Sequence, residues 1–279
     1  MLLLILKVSI LALIFAIGMS TTVEDVIYLW RRPILLLKSI VAMYVVMPVV
    51  AIMMAWTLEL PRQTELALVV LAICAGAPLL PKKLIKFGGD PAYVFSLIVT
   101  TSLLAIVTVP LLAHILFGGI DLHTTTISPG QVARIISQSF LMPLGLGMLV
   151  HWMVPTVAGR FGDPLMKIAG ATMALSALVV LATGFHFIFK VGLPSLLAFA
   201  IFTLAAIVAG HLLGGPNASD RSSLAIACAS RHIGLALLIA ANAKGQTALA
   251  LVVAYLLASA VVSIIYARWI RRRHHILML

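Results

Sequence analysis

Two apolar stretches of this chain are interrupted near their middles, and these interruptions decide the fold. Leu66 to Phe87 reads LALVVLAICAGAPLLPKKLIKF and breaks at Gly76-Ala77-Pro78, whereas Ser222 to Lys244 reads SSLAIACASRHIGLALLIAANAK and carries Ser230-Arg231-His232 at its centre. Lipid offers no partner to a backbone N–H or C=O, so an interrupted helix at membrane depth survives only where protein or a water-filled cavity covers it. One such helix in each half of a membrane protein is typical of a transporter binding site.

The rest of the chain is as apolar as these stretches. It is 63% hydrophobic and 10% charged, with a mean hydropathy of +1.19. Because a helix needs about 20 apolar residues to cross the hydrocarbon core, the composition predicts an all-α integral membrane protein. The candidate spans are 2–19, 34–58, 66–87, 91–117, 131–154, 164–188, 191–213, 222–243 and 247–268.

The distribution of the charges predicts the orientation of these nine helices. With the N-terminus outside, 12 of the 19 Lys and Arg residues fall in cytoplasmic segments, namely Arg31, Arg32, Lys82, Lys83, Lys86, Arg160, Lys167, Arg221, Arg268, Arg271, Arg272 and Arg273. This is the positive-inside pattern, and it places the C-terminus in the cytoplasm of a multi-pass protein of the cell membrane. The formal charge of +11 therefore indicates anionic lipid headgroups as a partner, and no nucleic acid.

The two halves of the chain resemble each other around their breaks. The sequence AICAGAP in the first half corresponds to AIACASRH in the second, and the polar stretch 118–130 separates them. The first half, 1–117, then has four helices and the second, 131–279, has five. We interpret this as an inverted repeat, within one transmembrane domain over 1–279, whose first copy has lost its leading helix.

Several short motifs, in order and spacing, resemble the bile acid:sodium symporter family. They are Gly18-Met19, Met47-Pro48, Cys74 to Pro81, Gly89-Asp90 and ASRHIGLALLIAANAKG in the eighth helix. The resemblance implies a core domain, in which two broken helices cross, beside a panel domain. It also implies that this chain is similar to the nine-helix members of the family.

The chain departs from that resemblance where the family's sodium-coupled members bind their cation. Positions that hold oxygen-bearing side chains in those members align here with Leu80, Pro81, Met43, Ala227, Arg231 and His232. Only Ser96 and Thr100 match the family's hydroxyl ligands. Since sodium prefers oxygen ligands, we expect no metal site and no sodium coupling.

Arg231 is the main candidate for a functional residue among the positions where this chain differs from the family's sodium-coupled members. A charge at the bilayer centre costs about 3 kcal/mol on insertion scales, so such a residue usually faces a cavity or a partner. It would bind an anion or stand in for a bound sodium; alternatively, it caps carbonyl groups of the first broken helix between Ala75 and Leu79. Arginine keeps its charge and cannot carry a proton, whereas the adjacent His232 is a possible proton carrier or a neutral hydrogen-bonding group.

Together these features predict a secondary transporter of a small organic anion that works by alternating access without sodium. The predicted substrate-binding residues are Arg231, His232, Ser230, Pro81, Ser96 and Thr100. Coupling to protons, exchange and facilitated diffusion all stay open. The alternative is a membrane sensor or partner-binding protein that keeps the fold without transporting. No cofactor is expected, and the sequence lacks the nucleotide-binding, esterase and metalloprotease motifs of common enzymes.

Overall fold

The computed structural model describes residues 2–74, 90–117, 128–232 and 247–277. Regular structure in these ranges is helical, as the composition predicts. The helices, numbered in chain order, are α1 (Leu2–Gly18), α2 (Val23–Ile27), α3 (Pro33–Thr57), α4 (Arg62–Ile73), α5 (Pro91–Phe117), α6 (Pro129–Met153), α7 (Pro155–Val191), α8 (Leu193–Leu213), α9 (Ala218–Ala229) and α10 (Thr247–Leu277).

Five segments within the described ranges are long and apolar enough to cross a membrane. They are Pro33–Thr57, Pro91–Leu116, Pro129–Met153, Leu193–Leu213 and Ala250–Ile270. Each lies within a single helix of this structure, and each overlaps a predicted span. The protein is therefore an integral membrane protein, while the count of nine spans and the inverted repeat stay predictions.

Helices α3 and α6 each contain a proline and continue through it. A π-helical turn, Ala42–Val46 in α3 and Ser137–Leu141 in α6, comes directly before Met47-Pro48 and Met142-Pro143 respectively. Proline has no N–H, and its ring crowds the carbonyl group four residues earlier. The wider turn relieves this crowding, so both helices reach 25 residues instead of breaking.

The structure corrects the prediction that 155–163 connects two spans. These residues are helical and form the start of α7, which runs without interruption over 37 residues from Pro155. At 1.5 Å per residue α7 is about 55 Å long, well beyond the roughly 30 Å hydrocarbon core. It ends at Gly192, whose φ of 81° is easily adopted only by glycine and allows the sharp turn into α8.

Helix α1 packs against α6 and α7. Its contact with α6 is made by backbone, because a Cβ atom on Gly147 would collide with the Phe15 carbonyl and one on Gly18 with Leu144. The His151 Nδ1 atom lies 2.7 Å from the Met19 carbonyl oxygen at the same contact. Gly147 thus allows the close approach of α1, whereas an added Cβ on Gly145 of the same helix would meet no described atom within 4 Å.

A second group of helices surrounds the interrupted segments. Helix α8 packs against α9 and α10, α3 packs against α4, and α2 lies along α5. The closest contact is again at a glycine, since a Cβ atom on Gly210 of α8 would collide with the backbone of Ala225 in α9. Helix α9 is therefore fixed along its length against α8, and the position of one end of α9 constrains the other.

Candidate functional site

Both interrupted segments stop being helical inside the protein. Helix α4 ends at Ile73 and α9 at Ala229, and the next residues, Cys74 (φ −86°, ψ 69°) and Ser230 (φ −111°, ψ 119°), leave the helical conformation. The break at Ser230 lies where the sequence predicts it, whereas the first helix ends before the predicted Gly76-Ala77-Pro78, whose residues lie outside the described ranges. With 12 residues each, both helices are about 18 Å long and too short to cross the membrane.

The two helix ends meet. The backbone N–H of His232, three residues beyond α9, donates a hydrogen bond of 2.9 Å to the carbonyl of Cys74, directly after α4. A pair of interrupted helices that touch at their breaks satisfies backbone groups that lipid could not satisfy. We refer to this meeting point, formed by Ala72–Cys74 and Ala229–His232, as the crossing.

Two side chains of α10 bind the carbonyl group of Ala229 at the crossing. The Tyr255 hydroxyl of α10 donates to the Ala229 carbonyl at 2.7 Å, and the Ser259 hydroxyl lies 3.4 Å from the same oxygen. Sequence reasoning missed both residues. They are four apart in α10 and share a face, but nothing in their spacing indicates which helix end that face would meet.

Arg231 is buried at the centre of the crossing, with 1% of its surface exposed. Its Nη1 atom donates to the Ala72 carbonyl at 3.4 Å, and its Cζ atom lies 5.8 Å from the centre of the Phe202 ring of α8. The contact with Ala72 resembles the predicted capping role, although that prediction named Ala75 to Leu79, which lie outside the described residues.

Arg231 has hydrogen-bonding capacity left over. Within the part of the chain that the structure describes, its Nε and Nη2 atoms are buried and have no hydrogen-bond partner, and the sole ion pair there joins Arg62 to Glu65. Nε–H and Nη2–H lie side by side on one edge of the planar guanidinium, which is an arrangement that binds both oxygens of a carboxylate. Chemically, the crossing thus offers a permanent cation and two parallel donors to a planar anion.

The structure brings three of the predicted site residues together and places two elsewhere. Ser230, Arg231 and His232 are consecutive at the crossing. On α5, however, the Ser96 hydroxyl accepts a hydrogen bond from the Leu29 N–H at 2.9 Å. The Thr100 hydroxyl likewise accepts one from the Trp30 indole at 3.1 Å.

Neither hydroxyl contacts Arg231, and both hold the segment after α2 against α5. Pro81, the remaining predicted residue, lies outside the described ranges. Substrate binding by each of these residues stays a prediction.

A second polar cluster lies at the opposite end of α9, where three segments that are predicted to be cytoplasmic converge. The Tyr28 hydroxyl donates to Asp90 Oδ2 at 3.3 Å, and the Arg32 guanidinium lies 4.3 Å from the Tyr28 ring centre. Asp220, in the first turn of α9, is 1% exposed. One of its oxygens accepts from Asn217 at 2.9 Å, while Oδ1 has no partner in the described ranges.

Burial controls the proton affinity of this cluster. It raises the pKa of Asp220, and the negative charge of Asp90 raises that pKa further. Burial, followed by the charge of Asp90, also raises the pKa of the Tyr28 hydroxyl. The sequence does not reveal this cluster, because the three segments that form it are about 60 or more residues apart in the chain and none of its members lies inside a predicted span.

The fold and the crossing define an all-helical, multi-pass membrane protein in which a polar site is built from the ends of two interrupted helices. The model of the sodium bile acid symporter family matches residues 7–191. This chain belongs to that family, and the resemblance of its motifs is thereby confirmed. The match includes α4 and its break, whereas Arg231 lies beyond its C-terminal limit.

Individual relatives are more distant. The uncharacterized sodium-dependent transporter YocS of Bacillus subtilis is 27% identical over 169 residues, which are 60% of this chain and 51% of the relative. The probable chloroplastic sodium/metabolite cotransporter BASS6 of Arabidopsis thaliana is 26% identical over 233 residues, 76% of this chain and 53% of the relative. This chain thus spans about half the length of the curated relatives it matches.

The described residues at the crossing do not fit the sodium ion that these names imply. Met43 and Ala227, which the resemblance aligns with the family's oxygen ligands, are buried and have no side-chain oxygen. The carbonyl groups of Ala72, Cys74 and Ala229 already accept hydrogen bonds. In addition, a cation about 5 Å from the Arg231 guanidinium would be repelled by roughly 3 kcal/mol at an effective dielectric constant of about 20.

Proposed function

We propose that this protein is a secondary transporter of small organic anions and that Arg231 binds the substrate's carboxylate. The observation that carries the proposal is the edge of the Arg231 guanidinium, where Nε and Nη2 are buried and have no partner among the described residues. Leaving buried donors of a charged group unsatisfied costs about 1–3 kcal/mol or more. An anion that fills this edge recovers that cost, which a purely structural arginine would have no reason to incur.

The proposed mechanism follows from the position of the site. The crossing lies about 18 Å from the far end of each interrupted helix, so a substrate bound there is near the middle of the membrane. Movement of the helices around the crossing relative to those around α1 would expose the bound anion to each side in turn, as in other transporters with interrupted helices. Arg231 keeps its charge throughout such a cycle.

We further propose that transport does not require sodium. The support is the buried guanidinium of Arg231 at the crossing. Met43 and Ala227 are buried as well, and the resemblance aligns both with oxygen ligands of the family's sodium-coupled members. The names of the relatives describe sodium-dependent transport, so this chain would differ from them in its coupling. Proton coupling, exchange and facilitated diffusion are all compatible with the proposal.

Uptake into proteoliposomes tests both claims. Radiolabelled monocarboxylates, dicarboxylates and sulfonates are offered in sodium chloride and in choline chloride, and the matched neutral amides serve as controls. We expect uptake of at least one acid, equal in the two salts, and none of its amide. Strict sodium dependence would contradict the coupling claim alone, while saturable binding without any uptake would favour the sensor alternative.

A further inference from the structure

We propose that Arg231 is a built-in cation that balances the negative ends of two helices, and that its removal turns the crossing into a site for a small monovalent cation. The inference concerns the ligand-free protein and does not depend on the proposed transport. It starts from the disagreement between the family's sodium chemistry and the residues of this chain.

The direction of α4 and α9 determines the charge that their backbones place at the crossing. The ends of α4 and α9 that meet at the crossing are both C-terminal ends, as the hydrogen bond from His232 to the Cys74 carbonyl shows. A helix C-terminus carries the equivalent of roughly −0.5 elementary charge. Two such ends therefore place about one negative charge at a buried point, and their mutual repulsion is poorly screened there.

Neutral groups cannot remove this charge. The Tyr255 hydroxyl satisfies the Ala229 carbonyl, but a hydroxyl contributes no net charge. The guanidinium of Arg231 contributes one positive charge, and it lies against α4 through its contact with the Ala72 carbonyl. The charges of the two helix ends and of Arg231 then sum to about zero.

A neutral side chain at position 231 would leave this balance broken. The space of the lost guanidinium would be bordered by the carbonyl oxygen of Ala72, which loses its donor, with a local charge of about minus one from the two helix ends. Carbonyl oxygens are suitable ligands for hard cations. We therefore expect Arg231→Ala to be unstable in the absence of a small cation and to be partly restored by one.

The experiment compares thermal unfolding of the ligand-free protein in lipid nanodiscs in sodium chloride, potassium chloride and choline chloride of equal ionic strength. Wild type should unfold at the same temperature in all three salts. In choline chloride, Arg231→Ala should unfold about 5 °C or more below wild type, and sodium, potassium or millimolar guanidinium should recover at least half of that loss. Arg231→Gln, which retains side-chain length and loses the charge, should behave in the same way.

Two further variants make the result specific. Arg221 also donates to a backbone carbonyl, that of Gly215 at 2.7 Å, but lies outside the crossing, so Arg221→Ala should show no dependence on the cation. Arg231→Lys keeps the charge and should also be indifferent to the salt. The inference is overturned if the neutral variants unfold at the same temperature in all salts, or if the lysine variant requires sodium.

The lysine variant also separates this inference from the proposed function. It retains the positive charge but not the guanidinium edge, so it should keep salt-independent stability and lose carboxylate binding. Salt-independent stability of Arg231→Ala together with lost uptake would reject the built-in cation and leave the substrate site intact. The opposite result would reject the substrate site alone.

Discussion

The two ends of α9 carry opposite charges, and both ends are buried. Asp220 lies in its first turn and Arg231 just beyond its last, so each charge complements the helix dipole. Each also retains polar atoms that no described residue satisfies, Oδ1 on Asp220 and Nε and Nη2 on Arg231. The two side chains differ in their protonation. A buried carboxylic acid such as Asp220 can take up a proton in an accessible pH range, whereas the guanidinium of Arg231 cannot lose one.

The two ends of α9, about 18 Å apart, therefore differ in how their charge responds to pH. The Arg231 end offers a constant charge and is suited to binding an anion. The Asp220 end offers a charge that depends on pH and lies where α2, α5 and α9 come together. Variants at the Arg231 end should therefore lose anion uptake, whereas variants at the Asp220 end should change the pH dependence of stability.

Replacing Arg231 should have the largest effect on anion uptake. Arg231→Ala loses the charge and two charge-assisted hydrogen bonds, each worth about 1.5–3 kcal/mol, so initial uptake at low substrate concentration should fall by about 100-fold or more. Arg231→Lys keeps a positive charge but lacks the two parallel donors of the guanidinium. Its uptake should lie between that of Arg231→Ala and that of wild type. Uptake by the alanine variant within a few-fold of wild type would break the proposed distinction between the two ends.

The positions of both ends of α9 depend on the close contact between α9 and α8. Gly210→Ala introduces a methyl group into the backbone of Ala225, and overpacking of this kind costs about 1–3 kcal/mol. We expect a lower unfolding temperature and impaired uptake. Gly145→Ala is the matched control, because its Cβ meets no atom within 4 Å, and equal losses in both variants would contradict the close contact.

Protonation of Asp220 should make the stability of the folded protein depend on pH. Because burial raises the pKa of Asp220 in the folded protein, the folded state binds this proton more tightly than the unfolded state, whose pKa is about 3.9. The stabilisation is complete below about pH 4 and is lost as the pH rises through the folded pKa. Asp220→Asn should remove this part of the decrease in unfolding temperature between pH 4 and pH 7.

Asp90→Asn is the control for that measurement. Both Asp90 oxygens accept hydrogen bonds, from Tyr28 and from the Ala92 N–H, so its loss should destabilise the protein at pH 7. Asp220→Asn should instead be neutral or stabilising at pH 7. If both variants shift stability in the same direction there, the contrast between a satisfied and an unsatisfied carboxylate is wrong.

The smallest effect should come from the carbonyl cap of α9. Tyr255→Phe removes the donor to Ala229 but leaves the Ser259 hydroxyl, 3.4 Å away, and a single buried hydrogen bond is worth about 1 kcal/mol net. The unfolding temperature should fall by a few degrees, with uptake reduced less than in Arg231→Lys. Tyr266→Phe, whose hydroxyl bonds to His211 away from the crossing, should leave uptake unchanged.

The sequence was most informative where local patterns control the structure. Long apolar runs predicted the helices, and the polar triplet Ser230-Arg231-His232 predicted where α9 ends, because each depends on neighbouring residues. The end of α4 was misplaced, since Cys74 leaves the helix before the glycine and proline that signal a break. Residues 155–163 were predicted to connect two spans, yet they begin α7, because proline is tolerated in a first helical turn.

Tertiary contacts explain what the sequence did not predict. Ser96 and Thr100 are predicted to bind substrate because the resemblance matches them to hydroxyl ligands of the family, and the sequence does not reveal that both accept hydrogen bonds from the segment after α2, at Leu29 and Trp30. Tyr255, Phe202 and Asp220 gave no signal because their importance comes from partners on other helices. The composition of a helix indicates what it can contact, whereas the packing of the other helices decides what it does contact.

The most direct test of the account is ligand-induced thermal stabilisation of the purified protein by a panel of organic acids and their amides. We expect at least one carboxylate, and not its amide, to raise the unfolding temperature of wild type, with the shift reduced in Arg231→Lys and absent in Arg231→Ala. An equal shift in wild type and in the alanine variant would mean that the anion binds elsewhere. The central role assigned to Arg231 would then be contradicted.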